Sequence, residues 1–277
     1  MLRSWQDVVA KWQLVPRAAS KAAQEGPCEA DKVFGEALDA LEDGRLDEAL
    51  RQFEAAAQLR DHHLDQIGIG DVYLARGGLR LALVHYRKAV EAAPTDELTV
   101  IAVSQLRVAA GEAASAVDEL EKLVAAHPDD PVARYYLAST LYSVTEQVRS
   151  QTGDERLVMT TERQLAICTH AAERILQLHV DDRELNRGAR LLQAEIAALR
   201  RWTWIRPVVA EALAIVIVVC GVAGAIAGGM TGSVPVVVLS VLAGGGLLFA
   251  VVQRFRRQVW RLQAELTEDS IAKPGVE

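Results

Sequence analysis

The sequence predicts an all-α protein in which a solenoid of helical repeats is followed by a hairpin of two transmembrane helices. Alanine, leucine and glutamate are abundant, whereas glycine and proline number only 19 and 8 in 277 residues, which favours helix. Small and large residues recur at equivalent positions in three successive stretches of the chain. The stretch 212–253 carries no charge, and its length suits two membrane spans. Because no long run alternates apolar and polar residues, we expect essentially no sheet.

Charge is distributed unevenly along the chain, whose formal net charge is −7. Residues 1–199 hold 22 Lys/Arg against 32 Asp/Glu, a balance of −10, and residues 200–277 hold 8 against 5, a balance of +3. An acidic body lacks the basic surface that neutralises phosphates, so we expect no nucleic-acid partner. Arginine outnumbers lysine 24 to 6, which indicates a bacterial genome rich in G and C.

The three cysteines, Cys28, Cys168 and Cys220, are widely spaced and odd in number. Such sparse usage favours a reducing compartment over a disulfide framework. We interpret them as unreactive thiols.

Residues 1–26 are predicted to contain an N-terminal amphipathic helix. Its apolar residues recur at intervals of three and four, as on one stripe of a helix. They are Leu2, Trp5, Val8, Val9, Trp12 and Val15. Arg3, Asp7 and Lys11 interrupt the apolar residues, so the segment does not have the core of a signal peptide. Three docking sites remain open for this helix: its own repeat domain, the membrane surface and a partner protein.

Three stretches of the chain, at residues 33–59, 66–92 and 99–125, align with one another as helix, glycine turn and second helix. Small residues let two helices approach closely, large residues fill the space between them, and glycine ends the first helix in a left-handed conformation. The equivalent residues are the glycines Gly44, Gly77 and Gly111, the small residues Ala49, Ala82 and Ala116, and the large residues Phe53, Tyr86 and Leu120.

This pattern resembles the tetratricopeptide repeat (TPR), whose period of about 34 residues the glycines and the alanines both keep. The first helices also carry small residues at the position of close approach, at Ala37, Gly70 and Ser104. The resemblance assigns residues 27–145 to TPR-like repeats and implies a solenoid that binds proteins or peptides. It further implies that the first helices line a concave face on which extended partners bind.

The resemblance places eleven residues, most of them apolar, in a partner groove on these first helices. They are Phe34, Leu38, Leu64, Ile67, Asp71, Leu74, Leu98, Ile101, Gln105, Tyr135 and Tyr142. TPR proteins that clamp a chaperone carboxylate use lysine, arginine and asparagine there, and those positions here hold Phe34, Ile67 and Ile101. We therefore expect an apolar helix or peptide as the occupant, and Met1–Val15 is one candidate. The other interpretation is that several of these side chains are core between repeats.

A fourth repeat is incomplete. Residues 128–131 precede another first helix, but residues 147–155 interrupt the pattern where a tight turn is expected. We expect residues 146–205 to add helices at 156–178 and 184–204, which cap the solenoid and lead into the bilayer.

The sequence carries no motif for catalysis, cofactor binding or metal binding. A phosphate loop, a nucleophile elbow and a dinucleotide fingerprint are all lacking. The residues Asp61, His62, His63 and Asp65 are of metal-binding types, but we interpret them as surface polar residues of a turn between repeats. We expect neither enzyme activity nor a cofactor.

Two membrane spans are predicted at residues 207–229 and 234–252, in a hairpin region that covers 206–253. A helix needs about 20 residues to cross a hydrocarbon core of ~30 Å. The turn formers of residues 228–233, followed by Pro235, separate the two spans. The Val, Leu and Phe residues of the second span favour insertion by roughly −5 kcal/mol. A hairpin buried in a soluble protein is the alternative, but a solenoid of this size offers little to surround it.

Basic residues flank both spans, and the turn between the spans is uncharged. By the positive-inside rule we expect the N-terminus and the tail at 254–277 to lie in the cytoplasm. The flanking residues are Arg200, Arg201 and Arg206 before the first span, and Arg254, Arg256, Arg257 and Arg261 after the second. The aromatic residues Trp202, Trp204, Phe255 and Trp260 occupy the interfacial positions.

Small residues recur at a spacing of four within both spans. Gly224 with Gly228, and Ser240 with Gly244, have the pattern that lets membrane helices pack closely. These pairs serve either the hairpin itself or a contact with another membrane helix, including one from a second copy of the chain.

Together these features predict a multi-pass membrane protein whose TPR-like domain acts as a scaffold or adaptor, gathering a protein partner at the cytoplasmic face of the bilayer. The alternative is an accessory or assembly subunit of a membrane complex that acts mainly through its transmembrane helices.

Overall fold

The computed structural model describes residues 8–14 and 29–276, and within these ranges it contains twelve α-helices that pack in successive pairs. The helices are α1 (Glu29–Glu42), α2 (Leu46–Leu59), α3 (His63–Ala75), α4 (Leu79–Ala92), α5 (Glu97–Ala109), α6 (Ala114–Ala126), α7 (Pro131–Val148), α8 (Glu162–Gln177), α9 (Arg183–Leu199), α10 (Pro207–Met230), α11 (Val234–Phe255) and α12 (Val259–Thr267). The predicted all-α class, with repeated helix pairs followed by two long apolar helices, is confirmed.

The described residues separate into two compact units. The first contains residues up to 148 together with 166–193, and so includes α1–α7. The second contains residues 149–165 and 194–276, and so includes α10–α12.

The turns inside the first three helix pairs have the same geometry. Gly44, Gly77 and Gly111 have φ angles of 73°, 77° and 85°, which a residue with a side chain rarely adopts. In each turn the N–H of the residue after the glycine donates to the carbonyl five positions earlier, at 2.8 Å. These bonds join Arg45 to Ala40, Gly78 to Tyr73 and Glu112 to Arg107. The period seen in the sequence is therefore also a structural period.

The interior of each pair combines a small and a large residue at equivalent positions. Ala49, Ala82 and Ala116 are fully buried, and the large residues Phe53, Tyr86 and Leu120 are at most 1% exposed. In the pair α3–α4, an added Cβ at Gly70 would lie 2.4 Å from Cε1 of Tyr86. A side chain at position 70 would prevent α3 and α4 from packing this closely.

The expectation of essentially no sheet is incomplete, because five short strands are present among the described residues. They are β1 (Ser150–Thr152), β2 (Leu157–Val158), β3 (Trp202–Trp204), β4 (Arg256–Gln258) and β5 (Ile271–Lys273). The sheets have the orders β2-β1-β5 and β3-β4, and all pairs are antiparallel. Strands this short cannot show an alternating pattern, so the sequence did not reveal them.

These strands also correct two predicted helices. The helix expected at 156–178 begins only at Glu162, because residues 150–158 form a hairpin in which Glu155 has a φ of 63°. The helix expected at 184–204 ends at Leu199, because Trp202–Trp204 pairs with Arg256–Gln258. The tail after residue 254 carries β4, α12 and β5.

The helices α10 and α11 pack against each other and are long and apolar enough to cross a membrane. Their observed bounds, Pro207–Met230 and Val234–Phe255, extend the predicted spans slightly at their C-terminal ends. No residue of α11 is buried, and only Ala210 and Gly228 are buried in α10. Helices of the core of a soluble protein would be covered, so this exposure favours a lipid environment.

The repeat packing yields a matched pair of glycine substitutions. Alanine is the better helix former by up to about 1 kcal/mol. Gly35→Ala in α1 should therefore stabilise the repeats, since nothing lies within 4 Å of the added Cβ. Gly70→Ala should destabilise the repeats despite the same gain in helix propensity, since its Cβ would overlap the ring of Tyr86.

The measurement is the thermal unfolding midpoint of the full chain in detergent, followed by circular dichroism at 222 nm. Equal effects of the two substitutions would show that α3 and α4 do not approach as closely as described.

Candidate binding groove

The N-terminal residues 8–14, which we call the docked segment, lie against the first helices of the repeats. Residues Ala10–Leu14 form a 3₁₀-helix that packs on α5 and α7. Within this segment Lys11 is fully buried, and Val8 and Trp12 are 1% and 3% exposed. The first helices α1, α3, α5 and α7 contact one another in succession, and we call the surface that holds the docked segment the groove. Leu2, Trp5 and Val15 of the predicted stripe lie outside the described residues.

A buried ion pair anchors the docked segment. Lys11 Nζ donates to Oδ1 of Asp71 at 2.5 Å and to Oε1 of Gln105 at 2.7 Å. Trp12 Nε1 donates to Oδ2 of Asp71 at 2.8 Å, and the hydroxyl of Tyr86 donates to Oδ1 at 2.5 Å. Both carboxylate oxygens of Asp71 are therefore used, and two of their three donors come from the docked segment.

Aromatic rings complete the site around this ion pair. The indole of Trp12 meets Phe34 edge to face at 5.7 Å between centroids and stacks on Phe53 at 6.3 Å. The ammonium of Lys11 lies 5.9 Å from the ring centroids of Trp12 and Tyr86, which is within the range of a cation–π attraction. The rings exclude water and thereby strengthen each hydrogen bond to Asp71.

Burial dominates the electrostatics of the site. Desolvation lowers the pKa of Lys11, against the opposing attraction of Asp71. Desolvation likewise raises the pKa of Asp71, while Lys11 and the hydrogen bonds from Tyr86 and Trp12 oppose that rise. The pKa of Tyr86 is raised well above its ordinary value by burial and by the neighbouring carboxylate, so this phenol stays a donor. The pair depends on its hydrogen bonds to offset the loss of hydration.

The structure places eight of the eleven predicted groove residues in the interior and leaves Leu38, Tyr135 and Tyr142 half-buried. It brings Phe34, Asp71 and Gln105 to the docked segment. The nine apolar and aromatic members belong to one continuous hydrophobic cluster with the repeat core. These nine are Phe34, Leu38, Leu64, Ile67, Leu74, Leu98, Ile101, Tyr135 and Tyr142.

Tyr142 has a packing role that the sequence did not indicate. A Cβ added at Gly188 of α9 would lie 2.7 Å from its ring, so Tyr142 lies directly on the backbone of α9.

The polar character of the anchor was not evident from the sequence. There Lys11 only interrupts an apolar stripe, and Tyr86 only occupies the position of the large residue between helices. The available signal was Asp71, an acidic residue among inward-facing apolar residues, because a buried carboxylate requires a cation or several donors. The docked segment is therefore held by a buried ion pair and hydrogen bonds as well as by apolar contacts.

The polar residues between α2 and α3 form a structural ion-pair cluster. Arg60 donates to both carboxylate oxygens of Asp65 at 3.0 Å, pairs with Asp31 and lies 5.1 Å from the ring centroid of Phe34. Asp65 is fully buried and not a surface residue as expected. In the part of the chain that the structure describes, no group of three or more His, Cys, Asp or Glu side chains is placed to hold a metal.

The four small residues predicted for membrane-helix packing lie where α10 and α11 meet. An added Cβ at Gly224 would lie 2.6 Å from Oγ of Ser240, and one at Gly228 would lie 3.0 Å from the backbone nitrogen of Val237. An added Cβ at Gly244 would be 4.0 Å from Cα of Gly221. In this structure the small residues serve the hairpin.

No protein-family model matches the chain, and no curated protein sequence matches it.

Removing the ammonium of Lys11 should release the docked segment. Breaking a buried ion pair by removing one partner costs roughly 3–5 kcal/mol, enough to raise the undocked population more than tenfold. Lys11→Met should therefore accelerate backbone amide exchange of residues 8–14 by at least about tenfold, as measured by hydrogen–deuterium exchange with mass spectrometry.

Lys32→Met is the matched control, because the Lys32 side chain is 77% exposed and its ion pair with Glu36 is long, at 4.0 Å. Unchanged exchange of residues 8–14 in Lys11→Met would show that the ion pair does not hold the segment.

Proposed function

We propose that this chain is a membrane-anchored adaptor of the TPR type, whose groove holds a peptide segment of a partner protein at the cytoplasmic face of the membrane. The observation that carries the proposal is the docked segment. A short stretch of chain lies on the first helices, and its Lys11 and Trp12 are anchored at Asp71. The groove is thus complementary to a peptide in shape, in apolar surface and in charge.

The repeat geometry supports the TPR type. Three helix pairs share the same glycine turn, the same buried small residue and the same large residue at equivalent positions one repeat apart. Repeats of this kind act as binding surfaces, because each pair adds one more helix to a continuous groove.

Two features support a hairpin that crosses the membrane twice. The apolar side chains of α10 and α11 are largely exposed, and residues 231–233 between the helices are uncharged. The strand β3 comes shortly before α10, β4 directly follows α11, and the two strands pair from Trp202 with Gln258 to Trp204 with Arg256. This pairing holds both basic flanks at one end of the hairpin.

That end carries the arginines and exposed tryptophans typical of a cytoplasmic interface. The guanidinium of Arg256 lies 5.5 Å from the ring centroid of Trp202. Trp202 and Trp204 are 57% and 46% exposed, as suits side chains that contact headgroups. By the positive-inside rule the N-terminus and the C-terminus both face the cytoplasm in this proposal.

The proposed topology is tested with single cysteines in a chain that carries Cys28→Ser, Cys168→Ala and Cys220→Ala. In intact cells an impermeant maleimide should label Ser233→Cys, which lies in the turn between the spans, and should leave Ser270→Cys unlabelled. Both positions should react after the cells are permeabilised. Labelling of Ser270→Cys in intact cells would reverse the orientation and remove the adaptor from the cytoplasm.

The adaptor role is tested by exchange of the anchor. A chain in which residues 207–255 are replaced by an unrelated two-helix hairpin should capture the same cross-linked proteins from membranes as the native chain. A matched chain with the native hairpin and Gly70→Trp, which disrupts the packing of α3 on α4, should lose them. The opposite result would favour the accessory-subunit alternative, in which α10 and α11 make the essential contacts.

A further inference from the structure

Within the groove, Asp71, Gln105 and Tyr86 form a built polar site, which we call the Asp71 site. Asp71 is fully buried, and Gln105 and Tyr86 are 4% and 1% exposed. The carboxylate accepts from the ammonium, from the indole N–H and from the phenol, and the amide oxygen of Gln105 accepts from the same ammonium. Two adjacent residues of the docked segment supply both of the external donors.

We propose that the Asp71 site is a receptor for a lysine followed directly by a tryptophan in a partner's peptide segment, and that the docked segment is a displaceable occupant of this receptor. The inference rests on the proposed adaptor function and names the chemistry of the partner. The stretch 15–28 separates Leu14 from Glu29 in the chain. The contacts of Lys11 and Trp12 at the site therefore do not require the docked segment to be joined directly to the first repeat. A separate chain that presents the same two side chains makes the same contacts.

The site selects lysine over other long side chains. An ammonium has three donors on one compact centre, and here one carboxylate oxygen and one amide oxygen receive it at 2.5 and 2.7 Å. A guanidinium brings five donors in a planar fork and would leave several of them buried without acceptors. Norleucine removes the charge and leaves Asp71 short of a donor, and acetyl-lysine adds bulk while removing the charge.

The site also selects an indole at the next position. Trp12 donates its N–H to Oδ2 of Asp71 and at the same time contacts the rings of Phe34 and Phe53. Phenylalanine has no donor at this point. The pair of residues therefore fixes the register of the bound peptide, because each side chain binds a different oxygen of one carboxylate.

The net charge of the chain suits a cationic ligand. Residues 1–199 carry a balance of −10 from 22 basic and 32 acidic residues. A field of this sign raises the association rate of a basic peptide, and the effect decreases with added salt.

The test uses the full chain in nanodiscs with Lys11→Ser and Trp12→Ser, which remove both anchors of the docked segment. The probe is a fluorescein-labelled peptide with the sequence DVVAKWQLV, titrated by fluorescence anisotropy. It should bind this variant at least about tenfold more tightly than the wild-type chain, in which the tethered segment competes at an effective concentration of about 1 mM.

Four peptides that differ from the probe at one position define the chemistry. Arginine, norleucine or acetyl-lysine in place of the lysine, or phenylalanine in place of the tryptophan, should each weaken binding at least about tenfold. In the same background Asp71→Asn should abolish the preference for lysine over norleucine. If Asp71→Asn lowers helicity, Gln105→Met replaces it as the test. This substitution removes the second acceptor at similar side-chain length and should reduce the preference for lysine over norleucine.

Equal binding of the lysine and norleucine peptides would overturn the inference. So would a variant that keeps wild-type helicity but does not bind the probe at concentrations up to about 1 mM, which is the effective concentration of the tethered segment. These failures are distinct from failure of the adaptor function. A chain that captures partners independently of its native hairpin but ignores the lysine peptide refutes the receptor alone. A chain that binds the peptide with the predicted selectivity, but captures partners only through α10 and α11, refutes the adaptor alone.

Discussion

The ring of Tyr86 packs on the backbone of Gly70, and its hydroxyl donates to the neighbouring residue Asp71 at 2.5 Å. This one arrangement joins the packing of the repeats to the chemistry of the groove. The large residue of the second helix fills the space in its own pair and also orients the carboxylate on the first helix. Any residue larger than glycine at position 70 would move the ring and with it the hydrogen bond. The groove therefore depends on a contact between helices that does not itself touch the docked segment.

The anchor contributes specificity more than net stability. Taking Lys11 and Asp71 out of water is costly, as the lowered pKa of the amine and the raised pKa of the acid indicate, and the hydrogen bonds largely offset that cost. The favourable part of the docking free energy comes from apolar side chains, since full burial of one such side chain contributes about 1.5–3 kcal/mol. Val8 and Trp12 supply this burial in the docked segment. The ion pair then penalises any register that leaves Asp71 without its cation.

The repeats and the hairpin could be predicted from the sequence because both are encoded by local patterns. Glycines one repeat apart mark identical turns, and the uncharged stretch 212–253 marks two long helices. The strands β1–β5 escaped prediction because each is very short. Lys11 escaped because its partners Asp71 and Gln105 lie 60 and 94 positions further along the chain, and no local pattern reports such a contact. Asp71 was placed in the groove, but its function as an anchor became visible only once Lys11, Trp12 and Tyr86 lay around it.

In the proposed receptor role, the tethered docked segment sets the affinity that a partner peptide needs. Only the stretch 15–28 separates the docked segment from α1 in the chain. Segments on short tethers typically experience an effective concentration of about 1 mM. A partner peptide of equal intrinsic affinity at ~10 μM would then hold about one groove in a hundred.

A partner can overcome this roughly hundredfold disadvantage in two ways. A longer peptide gains contacts along the groove beyond the Asp71 site, and a partner confined to the same membrane gains local concentration. Because α10 and α11 are long and apolar enough to cross a membrane, the proposed adaptor would use the second of these ways. A partner confined to the same membrane would then compete best with the docked segment.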